Sequence, residues 1–459
     1  MTSWRHSPDL RRIVLAYTIN RLGTWFGFIA VSLAVYDHTH SALAVAAVLL
    51  LGEALPAFVV PALIARVEAS RRRGELSQLY FFEAVATTAL AILLWRFWLP
   101  GVLLLVALDG TAALAASALL RAAAARKARE SAVASTPAGQ APDARDDDTE
   151  AAAQAAEAGA NAALNVAFSA TFMLGPALAG LLVGVAGASI ALLIDAATFV
   201  VCGAMLIAIR PHVEEGKEDS VRARLRAAWT YVNEVSMLRA LLIAQAVALV
   251  FFAAGGPIEI VYAKATLGAG DQGYGALLAV WGVGTVIGSL LFARAMPRGL
   301  GAMLTGGTLA VGLAYIGFSV TTSFALACAA AVLGGLGNGV QWASLIGAVQ
   351  RLTPPALHGR LMGGVESIGS LSPAVGLALG GALTALTSPQ SAFLIAGLGA
   401  SAMTIVFMRL VRRGLLRPRE LQGPAVEGET PQSDASPAIS RQLDDTGTAP
   451  PDPALSARQ

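Results

Sequence analysis

The chain has 459 residues, of which 56% are hydrophobic and only 14% charged, and its formal net charge is +2. A soluble globular chain carries about 25% charged residues, so this one has too few charges to cover a water-exposed surface, and its mean hydropathy is +0.64. That excludes a water-soluble domain and gives no sign of a nucleic-acid partner.

A bilayer-crossing helix needs about 20 mostly apolar residues. In chain order such runs lie near 13–36, 41–65, 77–95, 99–120, 161–185 and 189–209, then near 240–262, 273–295, 300–320, 324–349, 361–384 and 389–411. Twelve spans are therefore predicted, the first uncleaved, with short links such as Ala186-Gly187-Ala188 that force antiparallel neighbours. Of the 32 Lys and Arg residues, 29 fall on one set of alternate loops and termini, Arg96 and Lys264 on the other, and Arg21 inside a span. The positive-inside rule then puts both termini in the cytoplasm. The expected parts are a cytoplasmic N-terminus (1–12), a six-helix bundle (13–209) carrying a mobile cytoplasmic loop at about 121–160, and an amphipathic linker (210–239). A second six-helix bundle (240–413) and a disordered, polar tail (414–459) follow. The two cysteines, Cys202 and Cys328, sit in apolar runs and suggest neither a disulfide framework nor a metal site.

No energy-transducing motif is encoded. The one Gly-Lys, Gly216-Lys217, is followed by Glu, so no phosphate-binding P-loop exists. Gly268-Ala-Gly270-Asp-Gln-Gly273 fits a dinucleotide pattern but stands in a short loop with no strand before it. His38-Thr-His40 reads as a solvated turn. The chain is thus expected to be no enzyme and to need no cofactor.

The ionisable residues inside spans are Arg21, Glu53, Glu83, Asp109, Asp195, Glu259 and Glu366. Each would cost about 2.5–3.5 kcal/mol at a lipid-facing helix centre, so they must face protein or water. Glu53 and Asp109 fall nearest mid-span. They read either as a proton site or ligand for a cationic substrate, or as structural partners of Arg21 that only orient helices. Trp25, Gln245, Asn338 and Gln341 are candidate cavity residues, and the glycines spaced at Gly180/Gly184, Gly284/Gly288, Gly335/Gly339 and Gly376/Gly380 are candidate close-packing positions.

The two halves echo each other. Ser41-Ala-Leu-Ala-Val-Ala pairs with Tyr274-Gly-Ala-Leu-Leu-Ala-Val, and Gly175-Pro176-Ala-Leu-Ala-Gly180 with Ser372-Pro373-Ala-Val-Gly376. With Asn20-Arg-Leu-Gly-Thr-Trp-Phe, Leu193-Ile-Asp195-Ala-Ala-Thr-Phe199 and Leu352-Thr-Pro-Pro-Ala-Leu-His-Gly-Arg360, the chain resembles the major facilitator superfamily, in its enterobactin-exporter and macrolide-efflux branch. The resemblance implies an all-α membrane fold of twelve helices in two pseudo-symmetric bundles. It also implies a monomer in a bacterial-type inner membrane that exports a small amphipathic molecule by alternating access, driven by a proton gradient. An uncoupled facilitator or importer, or a transport-inactive scaffold or sensor, are the alternatives. In the family, helices 3 and 6 support the cavity from outside, which ranks Arg21, Glu53, Asp109 and Glu366 above Glu83 and Asp195. Gly175, Pro176 and Gly180 resemble the antiporter motif, and Arg71, Arg72 and Arg73 the basic end of the 2–3 loop motif. In that loop Val67 stands at the family's acidic position, and Gly23-Thr24 replaces the branch's Gly-Asp.

Overall fold

The structure is a computed structural model. It describes residues 7–56, 59–60, 75–135, 142–207, 209, 230, 232–295, 299–352 and 358–413, with backbone only for 75, 134–135, 142–148, 295 and 358–371. Among these residues there is helix and no strand. The elements are α1 (Pro8–Thr39), α2 (Ala42–Leu49), α3 (Glu75–Leu93), α4 (Leu99–Ser135), α5 (Pro142–Ala186) and α6 (Ala188–Leu206). They continue with α7 (Ser236–Val261), α8 (Gly270–Ala295), α9 (Leu300–Val320), α10 (Phe324–Arg351), α11 (His358–Leu386) and α12 (Pro389–Arg412). Ten helices among the described residues are long and apolar enough to cross a membrane, and the shorter apolar stretches Ala42–Ala54 and Ser372–Leu386 belong to the α2 and α11 regions.

Local chemistry sets the helix ends. Ser7 caps α1 by accepting the Leu10 N–H, with Pro8 in the first turn, and Ser41 and Ser388 cap α2 and α12 in the same way. Gly187 takes φ +86° between α5 and α6, a left-handed turn that closes a one-residue link. Large apolar side chains such as Val85, Trp95, Val166, Val320 and Leu386 point outward. Water would penalise that surface, whereas a bilayer covers it.

Five-residue π-helical turns follow two helices: Leu50–Ala54 extends α2 and Tyr262–Thr266 extends α7. Each closes an i→i+5 bond (Leu55 N–H to Leu50 O and Leu267 N–H to Tyr262 O) and bulges the backbone, a feature that recurs at functional sites. The first turn carries Glu53 and the second Lys264.

The loop expected at about 121–160 is largely helical. α4 runs on to Ser135, and α5 begins at Pro142. Alanine is the strongest helix former, and it supplies Ala122–Ala125, Ala151–Ala153 and Ala155–Ala156. Buried Ala124, Ala128, Ala132, Ala153, Ala156 and Ala160 line the seam of this antiparallel hairpin. Arg129 ties it by reaching Glu150 at 3.0 Å and Glu157 at 3.3 Å. Among the described side chains, Arg129, Glu150 and Glu157 are partly solvated and cross-link the two helices. The tail 414–459 and most of the linker 210–239 lie outside the described residues.

The apolar core shows how the two halves meet. At the arginine-poor end, one continuous cluster draws on both halves, from Ile29, Val45, Leu49 and Val183 to Ile258, Tyr274, Trp281 and Phe393. At the arginine-rich end it gives way to two separate clusters, one around Leu10, Tyr17, Leu119 and Phe199 and one around Leu238, Leu304, Val349 and Phe407. The inter-half contacts run through α2 against α7 and α11, and α5 against α8. Among the described residues, the apolar core joins the halves at one end and splits between them at the other.

Candidate functional site

Two helix crossings built on glycine gather charged residues of the N-terminal half. Gly52 of the α2 extension lies against Gly110 of α4 so closely that a Cβ on Gly110 would strike the Gly52 carbonyl. The crossing carries the residue next to each glycine with it, so Glu53 and Asp109 come to one place. On α1, a Cβ at Gly23 or Gly27 would strike the Asp195 carboxylate of α6. Two missing side chains on one face of α1 thus make the room into which Asp195 fits.

The product is a cavity of about 390 Å³ inside the N-terminal bundle. Its polar lining includes Asn20, Arg21, Glu53, Thr87, Asp109 and Asp195, and its aromatic lining Trp25, Phe28 and Phe199. Apart from Pro56, just beyond the α2 extension, every lining residue comes from α1, α2 and its extension, α3, α4 or α6. Thr87 Oγ1 donates to Asp109 Oδ1 at 3.0 Å, and Thr198 Oγ1 lies 3.4 Å from Asp195 Oδ1. Arg21 and Glu53 share the cavity without closing an ion pair among the described residues. The Arg21 guanidinium instead stacks 5.1 Å from the Phe168 ring centroid. Trp25 meets Phe172 edge-on at 5.6 Å. Arg21 Nε, Trp25 Nε1 and Ser32 Oγ are buried without a hydrogen-bond partner.

Of the residues singled out from sequence, Arg21, Glu53, Asp109 and Trp25 are therefore brought together, and Asp195 joins them. Glu83 is fully buried, with neither carboxylate oxygen hydrogen-bonded. Although the family resemblance gives helices 3 and 6 a supporting place, Thr87 of α3 and Asp195 of α6 line this cavity, the latter because α1 is notched by Gly23 and Gly27, whereas Glu83 does not line it. That i,i+4 glycine pair was the available signal. Gln245 is buried on α7, and Asn338 and Gln341 are half-buried on α10; none of the three lines this cavity. Glu366 lies on α11, where only the backbone is described, and Arg71, Arg72 and Arg73 lie outside the described residues. Glu259 is half-buried on α7, with Oε1 unpartnered.

The antiparallel pair α5 and α8 forms one face of the inter-half joint. Gly180 and Gly275 meet backbone to backbone: a Cβ on Gly180 would lie 2.6 Å from the Gly275 Cα, and one on Gly275 would lie 2.7 Å from the Pro176 carbonyl oxygen. Gly175 instead faces Trp25 inside the bundle. Within the C-terminal half, Gly284 and Gly288 of α8 interlock with Gly335 and Leu336 of α10 in the same small-residue packing. Further along, Asn165, Ser169 and Met173 of α5 and Val286 of α8 line an open groove of about 370 Å³. Contact at Gly180 and a groove from Met173 onward repeat, for one helix pair, the end-to-end asymmetry of the core.

Residues 241–443 match the family model described as Major Facilitator Superfamily. No curated protein sequence matches the chain. Among solved structures, a variant of the nucleoside transporter NupG is similar with a TM-score of 0.67 at 12% identity, over 88% of this chain and 100% of that one. A peptide transporter POT variant gives 0.62 at 14% identity, over 90% and 96%. A bacterial homologue of the human lysosomal transporter Spinster, in an inward-facing and unoccupied conformation, gives 0.59 at 13% identity, over 88% and 96%. The whole-chain likeness establishes the fold of the major facilitator transporters, and the match over 241–443 supports that superfamily.

Proposed function

We propose that this chain is a secondary transporter that exports a small amphipathic compound, drug-, macrolide- or siderophore-like, against proton entry by alternating access. It works as a monomer in a bacterial-type inner membrane, with both termini in the cytoplasm. The observation that carries this reading is the cavity of about 390 Å³ in which Arg21, Glu53, Asp109 and Asp195 meet the aromatic faces of Trp25, Phe28 and Phe199. Aromatic walls suit an apolar body, and the carboxylates suit a basic group or an exchangeable proton. Asp109 and Glu53 are assigned the proton, and Arg21 tunes which of them is charged. With the halves joined at the arginine-poor end, the positive-inside orientation makes this state inward-facing.

Reconstituted protein in inverted vesicles tests the reading. An imposed proton gradient should drive accumulation of a lipophilic cationic probe such as ethidium, and an uncoupler should abolish it. Accumulation that ignores the uncoupler would remove proton coupling. The polar lining residues Asn20, Arg21 and Thr24 favour one alternative, uncoupled uptake of a polar solute. Equal rates in both directions without a gradient would select it.

A further inference from the structure

The cavity of the N-terminal bundle is layered, and four helical segments repeat one pattern in building it. On each, a polar lining residue has an apolar one about one helical turn away, toward the arginine-poor end. The pairs are Glu53 with Leu49, Thr87 with Leu90, Asp109 with Val106 and Asp195 with Leu192. Leu49, Leu90 and Leu192 are buried in the apolar cluster that joins the halves, and Val106 packs against it. The cavity therefore ends in an apolar cap at the joined end, where Ser32 is the polar exception, and a layer rich in carboxylates lies beneath it. Along α1, Asp195 sits at Gly23 and Gly27, Val31 follows toward the cap, and Arg21 precedes toward the arginine-rich end. Asn20 and Ser117 line the space at that end with Arg21.

Three carboxylates and one guanidinium line the space, so its charges suit a ligand with a positive group. Among the described residues Arg21 closes no ion pair, and its guanidinium is held by the Phe168 ring at 5.1 Å. Its donors are thus available to an acceptor carried by the ligand. The volume of about 390 Å³ is near the lower end of the range for ligand pockets, about 300–1,000 Å³, which suits one small molecule. We propose that the cavity takes a small apolar amine with an oxygen acceptor beside its nitrogen: the apolar body enters the cap, the ammonium lies among Glu53, Asp109 and Asp195, and the acceptor meets Arg21. The inference rests on the reading of the chain as a transporter of small amphipathic compounds and narrows that reading to one class. A carboxylate and an amide carbonyl both supply the acceptor.

Isothermal titration of the full-length protein in nanodiscs with four phenyl compounds tests the assignment. Phenethylamine carries the amine alone, phenylalaninamide adds a carbonyl, phenylalanine adds a carboxylate, and hydrocinnamate has the carboxylate without the amine. Phenylalaninamide or phenylalanine should bind about tenfold more tightly than phenethylamine, and the tighter of the two identifies the acceptor. Hydrocinnamate should bind most weakly. Arg21→Gln should bring the tenfold ratio close to one, whereas Val106→Phe, which fills the cap, should weaken all three amines alike. If Arg21→Gln does not fold, Arg21→Lys, which keeps the charge and loses the planar donor fork, should also lower the ratio. Equal binding of phenethylamine and both acceptor-bearing amines to the wild-type chain would overturn the role of Arg21. Binding of hydrocinnamate as tight as that of the amines would overturn the role of the carboxylates. Absence of binding by all four would overturn the ligand class, and gradient-driven accumulation of ethidium would still decide the transport reading by itself.

Discussion

Lys264 of the C-terminal half forms an ion pair with Asp37 of the N-terminal half, and the same ammonium lies 2.6 Å from Asp271 at the start of α8. It is one of only two Lys or Arg residues assigned by sequence to the arginine-poor side. Its side chain is only 13% exposed and sits on the π-helical turn that ends α7. A residue that looks like a stray loop charge is thus a bridge between the halves at the end where they are joined.

Lys264→Met leaves Asp37 and Asp271 facing each other without their cation and should favour separation of the halves at that end. Losing a half-buried pair amounts to about 1 kcal/mol, roughly fivefold in the equilibrium. Spin labels at Val185→Cys and Thr322→Cys, both exposed at this end, should report a longer distance population in Lys264→Met. An unchanged distribution would mean that the apolar cluster alone holds the joint.

The α5–α8 crossing has no room for a side chain. Gly180→Leu should keep each bundle folded and block closure, because the new Cβ would have to displace the Gly275 backbone. The expected result is normal yield and a monodisperse protein, with transport of any probe reduced to background. Full activity in Gly180→Leu would show that the joint tolerates a wider spacing.

Asp109→Asn preserves shape and removes a titrating group. Downhill movement of probe should survive, and its acceleration by a proton gradient should vanish. Thr87→Val deletes the 3.0 Å hydrogen bond and should alter the pH profile of gradient-driven transport without removing it. If both Asp109→Asn and Glu53→Gln keep gradient-driven transport, the coupling site lies elsewhere, and Glu366 on α11 is the next residue to test.

Orientation follows from single cysteines. Thr322→Cys and Thr387→Cys, both exposed at the arginine-poor end, should react with an impermeant maleimide on intact cells, and Ala151→Cys on the α4–α5 hairpin only after permeabilisation. Reversed labelling at any one position would break the topology derived from charge.

Arg129→Ala removes the cross-links to Glu150 and Glu157. These pairs are solvent-exposed, so the expected loss is a small drop in Tm that disappears in high salt. A large, salt-insensitive loss would assign the hairpin's cohesion to Arg129 rather than to its alanine seam.

Much of the fold can be read from the chain because a bilayer enforces it: apolar length marks a helix, and a one-residue link at Gly187 forces its neighbours antiparallel. Twelve apolar runs are legible in this way. The α4–α5 hairpin is not, because hydropathy measures affinity for lipid, whereas Ala122–Ala125 and Ala151–Ala156 form helix through low side-chain entropy cost in water. Within the site, Glu53 and Asp109 stand out as charges in apolar runs. Their meeting depends on Gly52 and Gly110, whose significance emerges only when the two helices cross. Asp195 was legible as a buried acid, but its position turns on Gly23 and Gly27 of another helix. A list of intramembrane charges says which residues need shelter, and the glycines say where that shelter lies.

The hairpin has a practical consequence for anyone imaging this molecule. Transporters of this architecture present little beyond the detergent belt for particle alignment. Here α4 continues about 15 residues past its apolar run, which at 1.5 Å per residue is a rod about 22 Å tall, braced by α5 alongside. A binder raised against the outward faces of that pair, or a rigid protein fused in helical register between residues 135 and 142, would give a reference mass fixed to the N-terminal bundle.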